Sequence, residues 1–331
     1  MLRIIFITNS IGFGGAEKML TFVANSLSER GHICAIVNLG AVPEYVNVYK
    51  QNIDEHIDVF NVKDKVQQKK RKAEIKAVAQ YAKEFHADVL IGFTNFPNMY
   101  ATLVGKTLKI PSIISERGDP AITLPNTFKD RILKLIIDSA SGGVFQTNGA
   151  KDYYGKRLQK RGSVIPNPIF IKGTVPNVPY EEHEKTVVSV GRIDNKQKRL
   201  DVMLQAFSIF SKKHPEYTLK IYGSGDDENL VRQWCADLNI QDQVKFMGVT
   251  RTPMQDISDA GMFLITSDYE GISNSLLEAM AVGLPCVSTN HTPGGARLLI
   301  ADHENGLLAP MGDVDALAGA MCEFADNPEL A

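Results

Sequence analysis

The chain has 331 residues, of which 44% are hydrophobic and 22% are charged, and its net charge is −2. This is the balance of an ordinary soluble protein, and the length predicts two domains because single cores of this size are uncommon. No stretch approaches the ~20 apolar residues of a membrane-spanning helix. The four cysteines are too scattered for a zinc site or a disulfide framework, which predicts a cytoplasmic protein.

Short apolar runs alternate with amphipathic stretches along the first half of the chain. Residues 2–8 are apolar but too few for a signal peptide, so we interpret them as a first buried strand. Further strands are predicted at residues 33–39, 87–93, 112–115 and 143–146. Helices are predicted at residues 16–28, 73–85, 100–108 and 126–139.

The second half repeats this alternation. Strands are predicted at residues 186–190, 218–222, 244–246, 262–266, 286–288 and 306–308, and helices at residues 200–213, 227–238 and 275–282. The pattern predicts an α/β protein with two tandem doubly wound parallel-sheet (Rossmann-like) domains facing across a cleft. A proline-bearing segment separates the halves, which gives domains at residues 1–168 and 185–331 and a linker at residues 169–184.

The two halves differ in charge. Residues 1–175 carry 24 Lys and Arg against 15 Asp and Glu, whereas residues 176–331 carry 12 against 23. The basic residues cluster at positions 63–76 and 129–161, and the second cluster has apolar residues among its cations. These segments could contact an anionic membrane surface, or they could be solvated helix faces. Nucleic acid is not expected, because no recognition module is visible and the basic segments lack interleaved aromatics.

Glycine-rich loops follow several predicted strands. Gly14 and Gly15 lie in a loop that opens a helix, where backbone amides can approach an anion, although a tight turn explains them equally. The spacing matches neither a GxGxxG nor a Walker motif. In the second half, Gly191 and Arg192 directly follow a strand, and Lys198 lies six residues further on.

An arginine and a lysine in this position suit a diphosphate, because arginine holds two oxygens and lysine acts as a point charge. The alternative is a solvated basic loop in which Lys196, Lys198 and Arg199 cap an acidic surface. Gly223 also follows a strand. We interpret the acidic pair after it, Asp226 and Asp227, as the N-terminus of a helix rather than a metal site.

Two glutamates flank the start of the helix predicted at residues 275–282. Glu270 precedes Gly271 in the loop after a strand, and Glu278 follows within the helix. The amides between them form an anion site, while each carboxylate can accept two hydrogen bonds from neighbouring hydroxyls on a sugar. The alternative is a capping box from Ser275 to Glu278, with Glu270 on the surface.

The pair Glu270 and Glu278 resembles the E-x7-E signature of family 4 retaining glycosyltransferases of the GT-B fold. The resemblance covers nearly the whole chain and is closest to members that build bacterial surface polysaccharides and lipid-linked glycans. Its other motifs occur in the family's order: Gly14-Gly15-Ala16-Glu17, Ser115-Glu116-Arg117, Ile165-Pro166-Asn167-Pro168, Gly191-Arg192 with Lys198, and Asn305-Gly306-Leu307-Leu308.

The resemblance implies a role for each of these positions. Arg192 and Lys198 would neutralise the donor diphosphate, Glu270 would contact the donor sugar, and Glu278 would contact the ribose. The remaining donor-binding positions are Gly14, Gly15, Gly191, Gly223, Gly271, Ile272, Ser273 and Asn274. Retaining transfer by front-face attack needs no enzyme nucleophile, and no cofactor or metal is expected because the cations do that work.

Three departures from the family pattern leave choices open. One extra residue separates Arg192 from the lysine, so Lys196 competes with Lys198, which we prefer because it precedes the helix. No histidine follows the strand at residues 87–93, so Asn95, or Glu116 with Arg117, would orient the sugar or the acceptor. The histidines form no cluster, and His32 and His291 are interpreted as structural. Residues 327–331 read as the first turn of an interrupted helix, which predicts missing C-terminal helices.

The expected function is transfer of a hexose or N-acetylhexosamine from a nucleotide-diphosphate sugar, most simply a UDP-sugar, to a glycan or polyprenyl-linked acceptor. Two alternatives use the same scaffold: a sugar-nucleotide epimerase, which would convert the donor without an acceptor, and a non-catalytic module that binds a nucleotide sugar.

Overall fold

The structure is a computed structural model that describes residues 1–12, 14–40, 53–66, 71–169, 171, 174–176 and 178–330. Parts of the first basic cluster and of the predicted linker therefore lie outside the described residues. The chain divides into two compact units, Met1–Asn167 and Pro168–Ala331.

The described residues of the first unit form a seven-stranded parallel sheet in the order β3-β2-β1-β4-β5-β6-β7. Its strands are β1 Arg3–Thr8, β2 Ile33–Asn38, β3 Asp58–Asn61, β4 Val89–Phe93, β5 Ser112–Glu116, β6 Gly142–Phe145 and β7 Gly162–Val164. Its helices are α1 Gly15–Glu29, α2 Val62–Lys65, α3 Arg71–Glu84, α4 Asn95–Leu108, α5 Pro120–Thr123, α6 Phe128–Asp138, α7 Asn148–Asp152 and α8 Lys156–Lys160.

The described residues of the second unit form a six-stranded parallel sheet in the order β10-β9-β8-β11-β12-β13. Its strands are β8 Glu184–Val190, β9 Thr218–Tyr222, β10 Val244–Gly248, β11 Ala260–Ile265, β12 Cys286–Thr289 and β13 Leu307–Ala309. Its helices are α9 Asn195–Lys198, α10 Leu200–Lys213, α11 Glu228–Asp237, α12 Pro253–Ile257, α13 Asn274–Ala281, α14 Ala296–Leu299 and α15 Val314–Asp326.

The most apolar strands lie in the middle of each sheet, as expected for parallel sheets that are covered on both faces. All six residues of β11, AGMFLI, are buried, and so are five of the six in β1. In each sheet the strand order reverses beside the first strand, between β1 and β4 and between β8 and β11. Ligands of doubly wound sheets bind outside the carboxyl ends of the strands at such a reversal. The predicted α/β class with two parallel sheets is confirmed.

Several elements differ from the sequence-based prediction. Strands β3 and β7 and the short helices were not predicted, because three or four residues carry too little periodicity. Helix α4 begins at Asn95 rather than at residue 100. Its N-cap, Thr94, has a left-handed φ of 73°, and the Thr94 carbonyl accepts a hydrogen bond from the Asn98 amide at 2.8 Å.

The four cysteines, Cys34, Cys235, Cys286 and Cys322, are buried and none forms a disulfide. Within the part of the chain that the structure describes, no helix is long and apolar enough to cross a membrane.

Candidate active site

The loops that follow β8 and β9 are bonded to each other. The Gly191 amide donates to the Tyr222 carbonyl at 2.9 Å, and the Ile193 amide donates to the Ser224 carbonyl at 3.0 Å. Gly223 has a left-handed φ of 138°, and a Cβ at this position would clash with the Gly191 carbonyl oxygen. A glycine at 223 therefore lets the two predicted donor loops lie against each other.

The acidic residue Asp227 strengthens the same junction. Its carboxylate accepts a hydrogen bond from the Asn195 amide at 2.8 Å, which links the start of α11 to the start of α9. Asp227 is the N-cap of α11, as the helix-N-terminus interpretation expects, but its side chain bonds to the neighbouring loop rather than to its own helix.

Lys198 and Glu270 form an ion pair at the carboxyl ends of β8 and β11. The Lys198 Nζ donates to Glu270 Oε1, and Ser267 Oγ donates to the same oxygen at 3.0 Å. The two charged side chains are only 17% and 13% exposed. Burial by itself would raise the pKa of Glu270, but the Lys198 charge and the two hydrogen bonds bring it below its usual range. The carboxylate is therefore ionised at neutral pH.

This ion pair distinguishes Lys198 from Lys196, the other candidate for the diphosphate. Lys196 is exposed, whereas Lys198 is held against Glu270. The premise for preferring Lys198 was nevertheless wrong: it does not directly precede the long helix, because it ends α9 and is followed by Arg199, which has a left-handed φ of 50°.

Arg199 is a structural cation rather than a solvated one. Its guanidinium bonds to Asp201 at 2.9 Å and to Asp268 at 3.0 Å. The carbonyls of Lys198 and Arg199 also accept hydrogen bonds from the buried Thr266 hydroxyl, at 2.8 and 3.1 Å. These contacts hold the basic loop against the end of β11.

Arg192 joins the same cluster through a glutamine. Its side chain is 70% exposed, and its Nη2 donates to Gln197 Oε1 at 2.9 Å. Gln197 in turn donates to the Tyr269 carbonyl at 3.0 Å. A small cavity is lined by residues of both loops, including Gly191, Arg192, Lys198 and Ser267. Arg192, Lys198 and the segment that carries Glu270 therefore share one surface.

The start of α13 does not have the capping box that was the alternative interpretation of this segment. The N-cap is Ser273, whose hydroxyl accepts from the Leu276 amide at 3.4 Å. Ser275 instead lies inside the helix and contacts the Ser273 hydroxyl at 3.0 Å. Glu278 is in the second turn, and Glu270 is not a surface residue. The helix N-terminus follows Gly271, Ile272 and the N-cap Ser273.

A loop that the sequence analysis did not single out supports this segment. After β12, the Thr292 carbonyl accepts from the Glu270 amide at 2.8 Å, and the Thr292 amide donates to the Asp268 carbonyl at 3.2 Å. A Cβ on Gly295 would clash with the Gly271 carbonyl. His291, in this loop, is fully buried. The two adjacent glycines, Gly294 and Gly295, were the available signal for a close backbone approach.

In the first unit, the candidate residues follow the ends of β1, β4 and β5. Gly14 is the N-cap of α1, and Gly15 is the first helical residue. A Cβ on Gly14 would clash with the Glu17 carboxylate, which accepts from the Ser10 hydroxyl at 2.6 Å. Asn95, now in the first turn of α4, donates to the Thr123 carbonyl at 3.4 Å. Its buried Oδ1 has no hydrogen-bond partner among the described residues.

Glu116 is satisfied by its own unit. It is 2% exposed and accepts from Tyr154 Oη at 2.5 Å and from the Arg117 amide at 3.0 Å. Burial raises the pKa of Glu116, against these hydrogen bonds. Arg117 lies over the Phe93 ring, 5.1 Å from its centroid, and burial lowers the pKa of its guanidinium to about 10. Of this pair, only Arg117 has an unpaired buried atom among the described residues, its Nε.

The donor candidates of the second unit are thus brought together, whereas Gly14, Asn95, Glu116 and Arg117 belong to the other unit. Within the described ranges, no group of three or more His, Cys, Asp or Glu side chains is placed to hold a metal ion.

Comparison with known proteins gives matches along most of the chain. Residues 175–331 match the family model described as glycosyl transferases group 1. An uncharacterized glycosyltransferase of Haemophilus influenzae is 25% identical over 337 residues, covering 98% of this chain and 90% of that protein.

Two further matches carry more specific names. A Campylobacter jejuni alpha-1,4-N-acetyl-D-galactosaminyltransferase that acts on an undecaprenol-linked glycan is 26% identical over 321 residues, covering 96% of this chain and 87% of that protein. The crystal structure of HepE from Anabaena with UDP-glucose has a TM-score of 0.80 at 17% identity, covering 100% of this chain and 91% of that one.

Proposed function

We propose that this chain, whose residues 175–331 match the glycosyl transferases group 1 family, is a family 4 glycosyltransferase that transfers a hexose or N-acetylhexosamine from a UDP-sugar to a glycan or polyprenyl-linked acceptor. The observation that carries the proposal is the buried Lys198–Glu270 ion pair, whose lysine lines the same cavity as Arg192 and whose glutamate precedes the N-terminus of α13 in the chain. The relative acting on an undecaprenol-linked glycan and the UDP-glucose complex support the choice of acceptor and donor.

The donor diphosphate binds the cations of the β8 loop. Arg192, with its exposed guanidinium, can take two phosphate oxygens, and Lys198 supplies a second charge close to the same point. The backbone amides of Gly271, Ile272, Ser273 and Asn274 add the positive end of α13. Gly191 and Gly223 allow the backbone to approach the nucleotide, and Glu278 accepts from the ribose hydroxyls.

Glu270 binds the transferred sugar rather than acting as a nucleophile. Lys198 and Ser267 both donate to Oε1, and we assign Oε2 to accept from the sugar hydroxyls. The acceptor oxygen forms the new bond to the anomeric carbon on the face from which UDP departs. The bond to the β-phosphate breaks, and the leaving phosphate takes the acceptor proton. Lys198 and Arg192 stabilise the negative charge that develops on the leaving group.

The acceptor side is assigned to the first unit. Among the described residues, neither the buried Asn95 Oδ1 nor the Arg117 Nε has a hydrogen-bond partner, so we assign these two atoms to ligand binding. Glu116 holds the loop that carries Arg117. Gly14 and Gly15 let the backbone at the start of α1 approach phosphate or acceptor oxygens.

Titration calorimetry with UDP tests the donor assignment. Hydrogen bonds to charged groups contribute about 1.5–3 kcal/mol each, so Arg192→Ala should raise the Kd for UDP at least tenfold. Lys196→Ala is the matched control. Lys196 lies in the same loop but is exposed, so its replacement should leave the Kd unchanged. An unchanged Kd for Arg192→Ala would remove the diphosphate assignment. Conversion of a UDP-sugar without acceptor would favour the epimerase.

We also propose that the protein contacts an anionic membrane through α6, on the cytoplasmic face where polyprenyl-linked acceptors are presented. One side of α6 exposes Phe128, Ile132 and Leu135, which are 79%, 45% and 69% exposed. Lys129 and Arg131 are exposed beside them, whereas Lys134 is paired with Asp138 at 2.9 Å. An apolar row with flanking cations is the pattern of a helix that lies in a membrane interface, and cosedimentation with anionic vesicles measures it.

A further inference from the structure

His291 lies against the backbone that carries Glu270. It occupies the loop after β12, whose next residue, Thr292, is bonded to Glu270 and Asp268 through their backbones. A Cβ on Gly295 would meet the Gly271 carbonyl and would lie 3.2 Å from His291 Cε1. The imidazole, Gly295 and the Glu270–Gly271 turn are therefore packed together, immediately before the N-terminus of α13.

The ring is buried without adequate hydrogen bonds. His291 is 0% exposed, and its Nδ1 lies 3.4 Å from the Thr292 carbonyl oxygen. That contact places the proton on Nδ1, which leaves Nε2 as a lone-pair acceptor. Nε2 has no hydrogen-bond partner among the described residues. Buried polar atoms without partners are uncommon in folded proteins and call for an explanation.

Charged groups surround this ring. Glu270 and Lys198 act on it from the ends of β11 and β8, and Arg297 acts on it from α14. Burial lowers the pKa of His291, opposed by the Glu270 carboxylate. The uncharged ring leaves the Lys198–Glu270 pair undisturbed, whereas a protonated ring would be a second cation beside a carboxylate that already has one.

We propose that His291 is a positioning residue for sugar transfer, whose uncharged ring braces the Glu270–Gly271 turn and so keeps the Glu270 carboxylate in place for the donor sugar. When the ring gains a proton, it competes with Lys198 for Glu270 and displaces the turn. The proposal rests on the proposed function, and it predicts that the ring controls use of the donor sugar while binding of free UDP depends on Arg192.

The experiment compares the pH dependence of transfer in the wild type with that of His291→Phe and His291→Gln. The wild type should lose kcat/KM for the UDP-sugar as the pH falls through the pKa of the ring in the folded protein, which burial lowers below its ordinary value of 6.5. Both variants should have at least tenfold lower kcat/KM at pH 7.5, and their acid-side loss should be absent. Their Kd for free UDP should stay within twofold of the wild type.

The control is His303→Gln, which changes a histidine of the same unit whose side chain is 61% exposed and contacts Glu323 at 3.1 Å. It should keep the wild-type rate and profile. If the His291 variants fold and lose activity equally at every pH, so that the acid-side loss remains, the ring only fills space and the proposal fails.

The stability of the fold provides a readout that does not need transfer. A histidine with a lowered pKa in the folded state binds protons less readily than in the unfolded state, so its neutral form stabilises the fold above pH 6.5 and this contribution is lost as the pH falls. Urea unfolding should show this loss in the wild type and less of it in His291→Phe. If the wild type transfers no sugar but loses more stability at low pH than His291→Phe, the proposed function fails, while the inference that His291 is buried in its neutral form is supported. If His291→Phe loses as much stability at low pH as the wild type and His303→Gln do, the inference is overturned.

Discussion

The buried carboxylate of Glu270 is kept ionised by the groups around it. Its burial alone disfavours the charged form, and Lys198 and Ser267 restore that form with an ion pair and hydrogen bonds. Because the pKa of Glu270 is below its usual value of 4.5, its stabilising contribution is present above that pH and is lost as the pH falls through the folded-state pKa. The pair is therefore both a stability element and a part of the donor site.

Removing one partner of this pair should be worse than removing both. Lys198→Met leaves a buried carboxylate without its cation, and such uncompensated charges cost about 3 kcal/mol or more. The double variant with Glu270→Gln has no buried charge, so urea unfolding at pH 7.5 should show most of that stability recovered. Neither variant should transfer sugar. A double variant as unstable as Lys198→Met would show that the ion pair does not set the energetics of this turn.

The sequence identified Glu270 because a spaced pair of carboxylates around a helix start is a recognisable pattern. It did not identify His291 as a neighbour of Glu270, because a lone histidine after a strand has no pattern and the contact spans the two chain segments that follow β11 and β12. The sequence also left the Ser275–Glu278 capping box open as an alternative, for a related reason. Ser273 and Ser275 are both good N-cap residues, and only the backbone geometry selects Ser273.

At the scale of elements, α6 combines a structural and an exposed face. Leu133 and Ile137 are buried in the core of the first unit, and a capping box between Thr127 and Asp130 starts the helix. Phe128 and Leu135 do not contribute to this core, because most of each side chain is accessible.

Replacing the exposed apolar residues of α6 should abolish membrane binding without unfolding the protein. Phe128→Asp with Leu135→Asp removes the apolar contact and adds like charge to an anionic surface, so we expect at least a tenfold loss of binding to vesicles that contain phosphatidylserine or phosphatidylglycerol. Phe22→Asp is the control, since that residue is also exposed, at 38%, but lies on α1. Equal binding by all three proteins would exclude α6 as the membrane contact.

The long elements were predictable, and their ends were less so. Residues 200–213 and 218–222 were predicted at the bounds that the structure has, because α10 and β9 show strong periodicity between turn residues. The start of α4 was missed because its N-cap, Thr94, takes a left-handed backbone conformation that is unusual for threonine and that no sequence pattern indicated. Tertiary contacts overrode the local preference there.

At the scale of the whole molecule, each unit has its own hydrophobic core. A donor that binds the second unit should therefore stabilise that unit directly. At a UDP concentration of 100 times Kd, the gain is about 2.7 kcal/mol.

Hydrogen exchange should show where that gain acts. We expect UDP to slow exchange most at amides of the loops after β8 and β11 and of the first turn of α13, with uridine as the control that lacks the diphosphate. Uridine should protect these amides much less, because it cannot engage Arg192 and Lys198. Protection confined to β1–β7 would place the nucleotide in the wrong unit.

The division into two sheets followed from the alternation of apolar runs and amphipathic stretches, and the family resemblance rested on motifs distributed over both. Strand order could not be read in the same way, since β3 and β7 are edge strands of four and three residues. The charge difference between the halves was visible in the sequence. Which basic residues lie on an exposed apolar surface became clear only from the exposure of the α6 side chains.

The buried cysteines have a practical consequence for spectroscopy. Only a thiolate reacts readily with maleimides, and burial raises the pKa of Cys34 and of Cys235 to about 11. All four native sulfurs are also shielded from reagents. A fluorophore or spin label can therefore be attached to one newly introduced surface cysteine in each unit while the native sequence is kept, so that distances across the molecule are measured in an otherwise unaltered protein.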